Sequence, residues 1–165
     1  MKKLLLMLLV FAPMTMMAQK FGHVNASEVM QALPEFAKAR TEIETLQKQY
    51  EADLKSMQDE LQKKAEAFEK EQATLPDNIK QRRQQELEEM YQKIQQSYQD
   101  NQQALAKAQQ EKLTVIQTKV LEAIKSVGET GGYVYIMDIA SGIPFISSTL
   151  SKDVTAEVKA KLGLH

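Results

Sequence analysis

The chain has no cysteine. That excludes a disulfide framework and a lipid anchor built on an N-terminal cysteine. Glycine and proline are scarce, six and four in 165 residues, and Glu, Gln, Lys, Ala and Leu dominate, as long helices require. Histidine occurs only as His23 and His165. There is no glycine-rich phosphate loop and no His/Asp/Glu cluster at metal spacing, so neither a cofactor nor a metal is expected. A Ser-His-Asp set can be composed from Ser147, His23 and Asp138, but no nucleophile elbow surrounds it and no enzyme is expected. His23, in a strand, reads as a packed or surface residue.

Past the first residues, no run is apolar and long enough to cross a bilayer. The start reads Met1-Lys2-Lys3, then apolar from Leu4 to Pro13, then Ala18-Gln19. A basic start, a short apolar core and a small residue make a secretory signal peptide over 1–18, cut after Ala18, although Met16 is large for such a site. The protein is therefore expected to be exported. The formal charge of −1 becomes −3 without Lys2 and Lys3, which disfavours a polyanion or nucleic-acid partner.

What the chain does have is a long heptad pattern that reverses at Leu75-Pro76-Asp77. In the first limb Leu33, Arg40, Gln47, Leu54, Leu61, Phe68 and Leu75 share one ladder. Phe36, Ile43, Tyr50 and Met57 share a second, and two such ladders make the seam of a coiled coil. The second limb repeats the device with Leu87, Ile94, Asn101, Ala108 and Val115 beside Tyr91, Tyr98 and Leu105. Arg40, Gln47 and Asn101 are expected to interrupt this seam with polar groups. They would set its register, or loosen it so that the limbs splay. Tyr50, Met57, Met90, Tyr91 and Tyr98 either fill the seam or offer adaptable contacts to a partner. Lys63, Lys64, Lys70, Lys80, Arg82 and Arg83 form a basic cluster at the bend, read either as a solvated loop or as weak contact with an anionic membrane surface. The Gln-rich stretch from Gln92 to Gln110 reads as a solvated helix face.

The ends of the chain have a different texture. Phe21 to Asn25 reads as a strand, and Asn25 with Glu28 resembles a capping box. That cap outweighs the glycosylation reading of Asn25-Ala26-Ser27. Pro34 either kinks the first turns or marks where regular helix begins. The second long helix is expected to end at Gly128. Tyr133–Met137 and Ile143–Ser147 read as two further strands, Pro144 needing an edge position. Asp153 is placed to cap a last short helix through Leu162.

The fold class is thus α+β. The two ends, 19–27 plus 129–165, form a small β-rich body. Residues 28–128 form a long antiparallel helical coiled-coil hairpin arm with its bend near 74–78. Phe21, Val24, Val134, Ile136, Ile143, Phe145 and Ile146 are the apolar set of the body. Leu33, Phe36, Ile43, Leu54, Leu61, Phe68, Leu87, Ile94 and Leu105 are the seam of the arm. A body of roughly 45 residues is near the size at which a lone core stops sufficing. Self-association is the economical remedy, since three short strands leave open edges.

These residues resemble the Skp/OmpH family of periplasmic chaperones. The likeness lies in the strand ending Val24-Asn25, the hairpin, Tyr133 to Asp138, and the tail Ser147-Ser148-Thr149-Leu150-Ser151-Lys152-Asp153-Val154-Thr155-Ala156-Glu157-Val158. The resemblance implies a homotrimer whose three arms enclose a cavity. It implies a periplasmic holdase that keeps unfolded outer-membrane proteins soluble without ATP. The best-known members are strongly basic, whereas this tip is only mildly positive. A scaffold that tethers one envelope partner is the alternative from a different class.

Overall fold

The computed structural model describes residues 19–164. The signal peptide expected over 1–18 lies outside the described residues, as does His165. Strand β1 is Lys20–Val24, followed by helix α1, Ala26–Ala32. Helix α2 runs Pro34–Glu71 and α3 runs Asp77–Gly131. Strand β2 is Tyr133–Asp138, a one-turn 3-10 helix covers Ile139–Ser141, β3 is Ser151–Asp153 and α4 is Thr155–Lys161. Two compact units result. Of the described residues, one unit holds 19–27 and 122–164, and the other is Glu28–Leu121. The expected division at 128 therefore falls inside the first unit.

In the first unit β1 is the centre of a parallel three-stranded sheet in the order β2-β1-β3. Phe21 pairs with Tyr135 and Ser151, and His23 pairs with Met137 and Asp153. Alternation then sends Gly22 and Val24 to one face and Phe21 and His23 to the other. The inner face is closed by side chains with almost no exposure: Val24, Val154 and Val158. Gly22 allows close packing there: a Cβ would meet Ile136 and Tyr133 side-chain carbons at 3.1 Å, and they would have to give way by a few tenths of an ångström.

The strand expected over Ile143–Ser147 does not form; these residues are turns and irregular chain. Gly142 takes φ +77°, Pro144 has no N–H to give a ladder, and Ser147 accepts from the Ser151 and Leu150 amides. The third strand is the polar Ser151–Asp153, at three residues too short and too hydrophilic to announce itself in sequence. The second long helix also overruns its expected stop. Gly128 is helical, three residues before the helix ends at Gly131, and the left-handed residue that follows the helix is Gly132, at φ +67°.

Three polar side chains tie the loops of this unit together. The Asp138 carboxylate accepts from the amides of Ala26 (3.2 Å) and Ala140 (3.0 Å), so it starts two helical turns. The Thr155 hydroxyl accepts from the Asn25 amide at 3.0 Å and donates to Asp153 at 2.6 Å. Asp153 also accepts from the Thr155 amide at 2.9 Å, at the start of α4. The hydrogen bond from Thr155 is the main reason its carboxyl lies below the ordinary 3.8, burial opposing. A depressed carboxyl stabilises the fold fully above its ordinary value and loses that contribution as acid protonates it. Asp153→Ala is expected to cost about 1 kcal/mol at neutral pH. The gap to wild type should narrow below pH 3.8. Urea melts at neutral and acid pH measure this, and a gap of constant size would refute it.

In the second unit Leu33 is extended (φ −72°, ψ 129°) and Pro34 takes the first helical position, so the proline marks where the long helix begins. Glu71 ends α2, and Pro76 O receives the amides of Ile79 and Lys80 as α3 starts. The two helices run antiparallel. Glu35 faces Lys119, Glu42 faces Lys112, Lys64 faces Glu86 and Glu71 faces Arg83.

Candidate functional site

No helix among the described residues is long and apolar enough to cross a membrane, and no metal-ligating cluster occurs among them. The composed catalytic set is not brought together. His23 Nδ1 lies 2.9 Å from Ser151 Oγ, Ser147 turns its own loop, and Asp138 caps helices. The surfaces that remain are the flanks of the arm and the outer face of the sheet.

On the arm, the seam differs from strict heptads. Along α2 the less exposed positions are Phe36, Ala39, Ile43, Leu46, Tyr50, Leu54, Met57, Leu61, Lys64 and Phe68. Arg40 and Gln47 are not among them. Both point outward, Arg40 Nε donating to Glu44 and Gln47 Nε2 to Glu51. The seam is carried past them by Ala39 and Leu46, then slips by one residue between Leu46 and Leu54. Along α3 the inward positions are Leu87, Met90, Ile94, Ser97, Asn101, Leu105, Ala108, Lys112, Ile116 and Val120. Tyr91, Tyr98 and Val115, expected inside, are 52%, 53% and 69% exposed. The reason is geometric. A straight helix turns every 3.6 residues, so a ladder of sevens drifts off the seam unless the pair supercoils, and steps of four-four-three restore it.

Both helices take two consecutive steps of four at the same level, Leu46-Tyr50-Leu54 on one and Ser97-Asn101-Leu105 on the other. Between Ile94 and Ile116 no residue of α3 is buried. A groove of about 410 Å³ opens there, lined by the apolar and aromatic side chains of Tyr50, Leu54, Tyr98 and Leu105, by the amides Gln47, Asn101, Gln102 and Gln109, and by the Glu51 carboxylate. Backbone amides around this double slip are expected to exchange faster than those at Ile116–Val120, by an order of magnitude or more. Uniform protection along α3 in a hydrogen-exchange time course would contradict this.

Charge frames the groove. The Lys119 ammonium holds the Glu35 carboxyl below its ordinary range and Lys112 does the same to Glu42, chiefly by hydrogen bonding. Towards the bend Lys64 lowers Glu86 and is itself raised. Much of the basic cluster is therefore engaged: Lys64 with Glu86 and Glu60, Lys80 with Asp77 at 3.7 Å and Arg83 with Glu71 at 3.5 Å. Lys63, Lys70 and Arg82 are exposed.

The outer face of the sheet is apolar and open. The Phe21 and Tyr135 rings stack at 4.9 Å between centroids. Tyr135 and Met137 are each 47% exposed, and in the same unit Val134, Phe145 and Leu150 are more exposed still. Of the expected body set, Val24 is enclosed within the chain, Phe21, Ile136, Ile143 and Ile146 are half-buried, and Val134 and Phe145 are free. Sequence reasoning missed the buried pair Val154 and Val158, whose spacing of four on a short helix was the available signal.

The profile of the family described as "Outer membrane protein (OmpH-like)" matches residues 20–162. The chain belongs to the OmpH-like family. Chaperone protein Skp of Yersinia enterocolitica is 27% identical over 147 residues, covering 89% of this chain and 88% of that protein. Chaperone protein Skp of Pectobacterium atrosepticum is 25% identical over 141 residues, with 86% and 84% covered. In fold, this OmpH-like chain is similar to the crystal structure of an OmpH-like outer membrane chaperone from Caulobacter crescentus. The TM-score is 0.75 at 15% identity, over 87% of this chain and 83% of that one. A chaperone role rather than catalysis follows from this kinship, and the long helical arm with its small sheet is the OmpH-like architecture.

Proposed function

We propose that this chain is an ATP-independent holdase of the periplasm, a homotrimer that shelters unfolded outer-membrane proteins between its arms. The observation that carries the reading is the scatter of exposed apolar side chains along α3. Tyr91, Tyr98, Leu113, Val115 and Leu121 are all more than a third exposed. An unfolded barrel strand alternates apolar and polar residues and aggregates through its edges. Many weak contacts spread over a long arm hold such a chain without selecting one sequence. The open sheet face supports self-association: the first unit encloses few side chains, and a second copy laid on Tyr135 and Met137 would complete its core.

The test is light scattering. Several urea-denatured barrel proteins are diluted into buffer with and without the mature protein, no nucleotide being present. Suppressed aggregation of all of them, at about one trimer per client, is expected. Aggregation unchanged for every client would overturn the proposal. Protection of none, with tight binding of a single folded envelope protein, would favour a scaffold.

A further inference from the structure

His23 is the one histidine among the described residues, and it shares the outer face of β1 with Phe21. It is half-buried, with Met137 of β2 and Asp153 of β3 beside it in register. The face around it is apolar: Phe21 stacks on Tyr135, and Tyr135 and Met137 are each 47% exposed. We propose that His23 makes assembly of the subunits pH-dependent: neutral, it is covered by a second copy laid on this face, and protonated, it drives the copies apart. The inference rests on the homotrimer reading and adds its regulation.

Few charges on this face could hold an imidazolium in place. Asp153 lies in register with His23, but one of its oxygens already accepts the Thr155 hydroxyl at 2.6 Å and the Thr155 amide at 2.9 Å. The Thr155 hydroxyl is the largest cause of its lowered carboxyl and His23 the smallest, so Asp153 serves the start of α4 rather than the imidazole. On β2 the titratable group of this face is Tyr135, a phenol and not a carboxylate. The other charges lie across the sheet. Alternation puts Lys20 and Lys152 there, Lys20 donating to Gly131 O at 3.1 Å and Lys152 pairing with Glu157 at 2.6 Å. Asp138, in register with Val24, caps helical turns on that side, and the Tyr133 ring lies over Gly22. Helices α3 and α4 close the same inner face, Gly128 against Ile136 and Val158 fully enclosed. The connection from Ile139 to Leu150 contains no charged residue. What remains for the ring is the Ser151 hydroxyl, 2.9 Å from Nδ1. A hydroxyl donates to a neutral imidazole or accepts from a charged one, so Ser151 suits both states and selects neither. Water makes the difference. In the separate subunit it solvates an imidazolium on the half-open face. Under a second copy that water is gone, and the charge is left among Phe21, Tyr135 and Met137. Free subunits therefore bind more protons than the assembly does. Assembly is strongest at high pH and weakens as pH falls through the histidine range. Each subunit contributes about a tenfold loss of association per pH unit below that range, and three together about a thousandfold.

The experiment is sedimentation velocity of the full mature protein at about pH 8 and about pH 5.5 in the same salt, either side of the ordinary histidine value. The concentration is the lowest that gives full assembly at the higher pH. Wild type should sediment as the assembly there and largely as single subunits at the lower pH, with helicity retained by circular dichroism. His165→Gln should behave as wild type. His23→Gln should keep one mass at both pH values. A second readout leaves position 23 unchanged, and so decides the matter even if His23→Gln fails to assemble. In His165→Gln the remaining imidazole resonance, followed by NMR, should titrate about half a pH unit lower for each tenfold rise in protein concentration. A wild-type mass that ignores pH, dissociation of His23→Gln in step with wild type, or a titration that ignores concentration would each overturn the switch. Single subunits of wild type at every pH would instead remove the trimer reading beneath it.

Discussion

For the homotrimer proposed above, lysine at both Tyr135 and Met137 is expected to leave single subunits at micromolar concentration. Both side chains lie on the outer face of the sheet, each 47% exposed within the subunit. Within the subunit their replacement removes the Phe21–Tyr135 stacking, about 0.5–1.5 kcal/mol, and leaves the buried inner face of the sheet intact, so helicity should be retained. Between copies the effect is large. Burying a Tyr or Met side chain contributes about 1.5–3 kcal/mol, and a closed ring repeats the loss at every interface. Lysine adds the cost of desolvating an unpaired ammonium on a face whose rows carry Phe21, Tyr135 and Met137. The one carboxylate in that register, Asp153, is already engaged by Thr155. Sedimentation velocity measures the outcome. An unchanged mass in the double variant would show that copies meet elsewhere, for example through Phe145 and Leu150, which are 79% and 74% exposed.

The sequence was most legible where local chemistry decides. Proline at Pro34 and Pro76 fixed the start of α2 and the reversal before α3, because a ring that cannot donate settles the matter within one turn. The strands at β1 and β2 showed in their branched and aromatic residues. It was least legible where the answer depends on distant partners. Ser151–Asp153 became a strand because β1 was there to pair with it, while Ile143–Ser147, with better propensity, had Gly142 and Pro144 against it. The groove was hidden for a related reason. A heptad count carried forward from Leu33 puts Arg40 and Gln47 inside, whereas Ala39 and Leu46 take those places on α2, and Ser97 takes the place of Tyr98 on α3. The ladder places Tyr98 in the seam, and the paired helices leave it 53% exposed instead. Thr155, 8% exposed and bonded to both Asn25 and Asp153, gave a weak signal in the Asp153-Val154-Thr155 run and was not singled out.

Leu33→Ala is expected to be the most damaging single truncation in the arm, at about 2–5 kcal/mol, whereas Leu61→Ala should cost about 1 kcal/mol. The two leucines share a ladder in the sequence but not an environment. Leu33 is 2% exposed, and the unit also buries Val29, Ile116 and Val120. Leu61 is half-buried, in a helix with no fully buried residue at all. The backbone at Leu33 is extended, which alanine adopts without strain, and the bonds from the Leu33 amide to Met30 O and from the Phe36 amide to Leu33 O do not involve the side chain. The loss is therefore a cavity and lost burial, not a broken cap. Urea denaturation at one fixed protein concentration tests this, since association would otherwise contribute to the midpoint. A lowered midpoint at unchanged slope is the expected signature for Leu33→Ala. Equal costs at the two positions would mean that the seam near the bend is held as firmly as the base of the arm.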